Sequence, residues 1–411
     1  MWYFLSLAYL LFIMDVAPSV SRYLEEKVSN SGAFQTDWSE LRDLYTRKLW
    51  HQLTLKLQSC FKMATFKAQT DLVELNESFL NDFKNKINPL SLAELSVHIS
   101  EQLVATGKLF SSFRRGFLCS IDPMKGIKFM EDIRDKYAQK SKEASVLCNT
   151  TIGMIYLASM NDLVNARKVI ETTGAQLDQM GGVTCVHARF YQLSSRYYQV
   201  TGQHAEYYKE ALRFLGCVSL DELTQNEQRA WAFSVGLAAI LGESVYNFGE
   251  LLTHDILNSL RDTPDSWLID LLNAFNRGDL QQLEALKSQW SSQADLVAAE
   301  SRLTDKVKLL CLCELIFRRP ANKRTLTFSE ISEATRVSHD QLEHFLMRAL
   351  SLGLIKGRID EVNQTVCITW LKPRVLDREQ IGSMRARLTE WCNSVSSMKN
   401  LVEVDAKAIL A

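Results

Sequence analysis

The sequence predicts a mostly α-helical protein: a right-handed, tetratricopeptide-like helical-repeat solenoid, then a winged-helix module with a small β-hairpin wing, then one long C-terminal helix. Three observations predict it. Turn-formers are scarce, because Gly 17 and Pro 6 make up only about 6% of the chain, roughly half the usual share. Amphipathic runs of helical period succeed one another from Trp38 with brief connectors. Towards the end, two capped helices precede two alternating strands, and an apolar stripe of three-and-four spacing closes the chain. The 411 residues are 46% hydrophobic and 23% charged, with 47 basic against 48 acidic side chains. That balance excludes a disordered tail, a polytopic membrane protein and a strongly basic nucleic-acid binder.

The first block, Met1–Ile13, is apolar. It is shorter than the about 20 residues a membrane span needs, and no Lys or Arg precedes it as in a signal peptide. It stops at Met14-Asp15, itself a suitable translation start, so residues 1–13 read as an upstream extension. Residues 1–37 together form an N-terminal extension in this reading. The solenoid is assigned to 38–264, a module containing the winged helix (about 325–372) to 265–375, and the terminal helix to 376–411.

Leu41, Leu44, Tyr45, Leu49 and Leu53 lie at helical spacing. Asn88-Pro89-Leu90-Ser91 breaks the chain, and Ser91 with Glu94 reads as a capping box for the next helix. Helices follow at 142–158, 162–179, 184–201, 204–215 and 221–241, with connectors at 160–162, 181–182, 201–203 and 277–279. Tyr197–Leu212 resembles one tetratricopeptide-type hairpin. Such pairs bury their apolar faces only against their neighbours; a plain helical bundle is the alternative packing. Residues 104–120, with Gly107, Gly116 and no helical stripe, read as an irregular insert of no assigned function, either a surface loop or a translated intron.

Thr327-Phe-Ser-Glu330 opens a short helix with Phe328, Ile331 and Ala334 on its inner face, and Ser338-His-Asp-Gln341 opens a second. Gly353 stands where a left-handed helix cap is wanted. Leu354–Ile359 and Thr365–Trp370 then read as a hairpin wing, with Ile355, Ile359, Val366, Ile368 and Trp370 alternating. Asp377 and Gln380 form a cap-like start to the last helix. Ile381, Met384, Leu388, Trp391, Val395, Met398 and Val402 step by 3, 4, 3, 4, 3, 4. A helix projecting from a small domain cannot cover such a seam alone, so a partner helix is expected to shield it; folding back on its own solenoid is the alternative.

No metalloprotease, phosphate-loop, dinucleotide or nucleophile-elbow motif occurs, so no enzyme, cofactor or metal site is expected. The seven histidines are dispersed; His187, beside Arg189 and Tyr191, reads as structural. The nine cysteines lack zinc-ligand spacing and read as free, mostly buried thiols. On the second helix of the winged-helix module and on its wing, Arg348, Lys356 and Arg358 are balanced by Asp340, Glu343, Asp360 and Glu361. Phosphate binding requires uncompensated cations, so nucleic acid is not expected as a partner. No membrane association is expected either.

A helical repeat running into a winged helix and a terminal helix resembles the PCI family, scaffold subunits of the proteasome lid, the COP9 signalosome and a translation initiation factor. The runs 49–55, 189–195, 207–217, 246–252, 267–270, 319–322, 326–331, 353–357, 359–362 and 373–377 resemble a proteasome-lid member, in order. Residues 1–13 and about 104–120 have no counterpart in that pattern. The resemblance implies a non-catalytic scaffold subunit of a cytoplasmic and nuclear hetero-oligomer. Its partners would be other PCI subunits of the lid, with the ubiquitin-receptor subunit near its solenoid. Subunits would join through the winged helix at Leu354, Ile355, Lys356, Val366, Ile368 and Trp370, by strand addition at 354–359 and 365–370. A shared bundle would take the stripe from Ile381 to Val402.

Overall fold

The computed structural model describes residues 18–30, 34–63, 65–66, 70–113, 123–320, 324–376 and 378–410. The apolar block 1–13 and residues 114–120 of the expected insert lie outside them. Residues 104–113, read from sequence as irregular, instead continue the helix Pro89–Phe113. The described residues are mostly helical, with three short strands. They fall into two compact units. One ends at Gly202 and includes Arg213–Val218; the other comprises Gln203–Leu212 and everything from Ser219 onward.

In the first unit, the helix Pro18–Asn30 contributes Val20, Tyr23 and Leu24 to the core around Trp38, so folded structure begins well before Trp38. The stripe Leu41–Leu53 is divided between helices Gln35–Thr46 and Trp50–Lys62, with Lys48 left-handed at φ 57 between them. Asn88, not Ser91, caps the next helix: its Oδ1 accepts from Leu90 N–H at 3.1 Å. Pro89 occupies the first turn, where a missing N–H costs nothing. A second core forms around the helix Lys142–Ile155, whose Ala144, Leu147, Cys148 and Ile152 are buried among its neighbours. Helices Leu163–Asp178 and Cys185–Thr201 fall close to the ranges periodicity predicts, as do His204–Cys217, divided between the two units, and Gln225–Leu241 in the second. His187 completes the cap of its own helix, its Nδ1 accepting from Thr184 N–H at 3.0 Å.

In the second unit, Tyr207 stacks on Trp231 with ring centroids 6.4 Å apart. Gly278 ends the helix Trp267–Arg277 at φ 65, where a Cβ would stand 2.4 Å from Cys311 N. Only glycine meets both conditions there.

The winged helix contains one more strand than the sequence suggests. β1 (Thr325–Thr327), β2 (Ile355–Asp360) and β3 (Thr365–Leu371) form an antiparallel sheet in the order β1-β3-β2. The Thr327–Glu330 capping box forms in both directions, at 3.0 and 3.3 Å. The one expected at Ser338 does not: its side chain makes no capping bond, and its carbonyl accepts from Gln341 N–H. Gly353 adopts φ 65, with Leu354 N–H reaching Ala349 O at 3.2 Å and Gly353 N–H reaching Leu350 O at 3.0 Å. That is the paired closure of a Schellman cap.

Cysteine exposure departs from expectation. Cys60, Cys148 and Cys313 are buried, but Cys185, Cys217, Cys367 and Cys392 are exposed. Burial pushes the Cys148 thiol up to about 12 and the Cys313 thiol up to about 11.

Candidate interaction surfaces

The C-terminal helix Arg378–Leu410 has 33 residues, hence is about 50 Å long. Every described residue from Ile381 to Glu403 is exposed. On it, Ile381, Met384, Leu388, Trp391, Val395, Met398 and Val402 are 45–65% exposed, and Leu401 joins them. Single exposed apolar residues are ordinary, but a continuous stripe of this length marks an interaction surface. The expected cap at Asp377 lies outside the described residues.

The root of this helix is held firmly. Arg374 bonds the Glu314 carboxylate and lies 5.0 Å from the Phe317 ring, and both side chains are nearly buried. Arg318 takes the other Glu314 oxygen at 3.0 Å. Val375 packs so closely on Gly249 that a Cβ there would lie 2.4 Å from it. Lys372 N–H donates to Leu354 O at 2.8 Å, fastening the same segment to the wing. The sequence shows none of this; there the Pro373–Asp377 run carries only a resemblance.

Lys306 is a second pin that the sequence concealed. It is buried, and its ammonium donates to Ala239 O, Ile240 O and Gly242 O at 2.9, 2.9 and 2.7 Å. Those carbonyls end the helix Gln225–Leu241, where they have no helical partner. The rings of Phe248 and Tyr246 lie 5.1 and 5.7 Å from the ammonium. Burial pushes Lys306 down to about 7.

The wing offers less side-chain surface than expected. Leu354, Ile355, Val366 and Ile368 are buried in the winged helix's own core, with Leu326, Leu342 and Leu346. Alternation marked a covered face but could not say what covers it. Lys356 and Trp370 remain at the surface, the ammonium 4.9 Å above the indole. β3 lies between β1 and β2, so both outer strands are edges, and β2 with six residues offers the longer one.

Several basic residues near the winged helix are already engaged. Arg348 pairs with Asp305 at 2.9 Å, Arg336 with Glu284 at 3.1 Å and Arg319 with Glu330 at 3.0 Å. They form no phosphate-binding array. Among the described residues, no group of three His, Cys, Asp or Glu could hold a metal ion. Nor is any described helix long and apolar enough to cross a membrane.

Family comparisons agree with this layout. Residues 37–272 match the PSD13 N-terminal repeats, 280–370 the PCI domain and 374–405 the Rpn9 C-terminal helix. The chain is 36% identical to the 26S proteasome non-ATPase regulatory subunit 13 homolog B of Arabidopsis thaliana, over 95% of this chain and 99% of that one. It is 35% identical to the 26S proteasome non-ATPase regulatory subunit 13 of Dictyostelium discoideum, over 91% and 94%. It is 33% identical to the 26S proteasome regulatory subunit RPN9 of Saccharomyces cerevisiae, over 90% and 93%. With repeats, PCI domain and terminal helix matched in order, the chain belongs to the PSD13/Rpn9 family of PCI-domain proteins.

Proposed function

We propose that this chain is a non-catalytic scaffold subunit of the proteasome lid, serving ATP- and ubiquitin-dependent protein degradation. The observation that carries the proposal is the apolar stripe Ile381–Val402, exposed along a helix whose root is clamped by Glu314, Arg374 and Val375. A rigid root with an uncovered seam suits a component whose partner helices complete its packing. The stripe joins a bundle with helices of other lid subunits. The open edge of β2 extends into the sheet of a neighbouring PCI subunit by strand addition. The ubiquitin-receptor subunit lies near the N-terminal repeats, and the assembly works in cytoplasm and nucleus.

The test is a reconstituted lid carrying Trp391→Asp in the full-length chain. Tryptophan at the centre of a helical interface typically contributes at least about 2 kcal/mol, so incorporation should weaken about 30-fold or more. The melting temperature of the free chain should not change, because Trp391 is 65% exposed in it. Stoichiometric incorporation of the variant would remove the proposal.

A further inference from the structure

We propose that an arginine-lined cleft at the root of the C-terminal helix receives a carboxylate-bearing segment of the partner that covers the apolar stripe, an inference that rests on the scaffold reading above. The cleft has a volume of about 490 Å³. Arg277, Arg318, Arg324 and Arg387 line it, and Glu314 is the one carboxylate among its described lining residues. That carboxylate is already shared between Arg374 and Arg318. Arg387 spends one donor on Arg318 O at 2.8 Å. The remaining guanidinium donors face a cavity of net positive charge.

The four arginines come from separate places. Arg277 and Arg318 end their helices, where a cation complements the helix dipole, and that alone accounts for two of them. It does not account for Arg324, which directly precedes β1, or for Arg387 on the C-terminal helix. Like charges brought around one cavity repel, and an anion seated among them reverses the sign of that energy. Guanidinium forks match carboxylates in bidentate geometry.

Position favours a protein carboxylate over a small soluble anion. Met384 belongs to the cleft lining and to the stripe at once. A helix laid along Ile381–Val402 therefore runs to the mouth of the cleft. Acidic residues at that end of the partner would enter it and fix orientation and register, as flanking charges do in coiled coils.

The experiment reconstitutes the lid with full-length chain carrying Arg277→Gln, Arg324→Gln and Arg387→Gln together. Arg318 is left in place because it holds Glu314. Apparent affinity is measured at low and high salt beside the parent and Trp391→Asp, with circular dichroism melting as the fold control. The triple variant should bind about 10-fold or more weakly at low salt and lose most of the parent's salt dependence. Parent-like affinity and salt slope in the triple variant, with Trp391→Asp still excluded, would overturn this inference and leave the scaffold reading intact. Normal incorporation of Trp391→Asp would bring down the scaffold reading itself, and this inference with it. In a second arm, inorganic pyrophosphate is added to the free full-length chain. Stabilisation that requires these arginines, without inhibition of incorporation, would assign the cleft to a small anion and overturn the inference.

Discussion

Replacing Lys306 with Met keeps an unbranched side chain one atom shorter and removes its three donors. Three carbonyls at the end of the helix Gln225–Leu241 lose those bonds in a buried setting. Gly242 O keeps a long bond from Val245 N–H at 3.4 Å, so Ala239 O and Ile240 O suffer most. An orphaned buried acceptor costs about 1–3 kcal/mol, and relief from burying an ammonium offsets part of the total. The net loss should be about 2–4 kcal/mol. For a unit of this size that lowers the melting temperature by roughly 5–15 °C. The pH dependence adds a second readout. Lys306 titrates near 7 in the folded protein, against about 10.4 for an unperturbed lysine. Between those values the unfolded chain holds the extra proton, so the parent gains stability as pH rises and Lys306→Met lacks that slope. Melting is followed by circular dichroism from neutral to alkaline pH. A variant within about 1 °C of the parent at neutral pH, or one with the same pH slope, would refute the assignment of Lys306 as the helix-end pin.

Gly278→Ala should destabilise by at least about 2 kcal/mol, because φ 65 and a Cβ 2.4 Å from Cys311 N both oppose it; a denaturant titration would show this as a lower midpoint. Thr327→Ala removes one side of a capping box and should cost about 1 kcal/mol in the same titration. The Thr327 N–H and Arg319 hold Glu330 below the usual glutamate range. Its contribution is complete above the unfolded value of about 4.3 and is lost as pH falls through the lower folded value. A fall in the protection of the Thr327 amide, relative to its intrinsic exchange rate at the same pH, would report that loss.

What could be read from the sequence was local. Thr327 and Glu330 lie one turn apart, so their cap is written in adjacent letters. The seam Ile381–Val402 is likewise a matter of spacing within one helix. Ser338 shows the limit of that reasoning: the right residue type stands at the right place, yet its hydroxyl makes no capping bond. β1 escaped notice because three residues carry no periodicity, and only pairing with Cys367, Val366 and Thr365 makes them a strand. Arg374 and Glu314 are 60 positions apart, and Lys306 lies 64 to 67 positions from its acceptors. No periodicity links such pairs; only folding brings them together. Alternation along residues 355–370 identifies a buried face without identifying its neighbour, and for Leu354, Ile355, Val366 and Ile368 that neighbour is the winged helix's own core.

The clamp at the helix root and the bare stripe beyond it form one arrangement. In proteins most of a helix's stability comes from packing its apolar face rather than from its own hydrogen bonds, and the 33-residue terminal helix leaves that face uncovered. Exposing Trp391, Met398 and Leu401 also leaves apolar surface that stabilises nothing in the free chain. Both deficits are repaired when another helix covers the seam, so the terminal helix should gain order on assembly while the winged helix beneath it stays unchanged. The clamp limits what must be ordered at that moment. With Lys372, Arg374 and Val375 already fixed against Leu354, Glu314 and Gly249, the direction in which the helix leaves the domain is set before any partner arrives. Pre-fixing that direction reduces the entropy cost of association, so loosening the root through Glu314 would weaken incorporation without touching a single residue of the stripe.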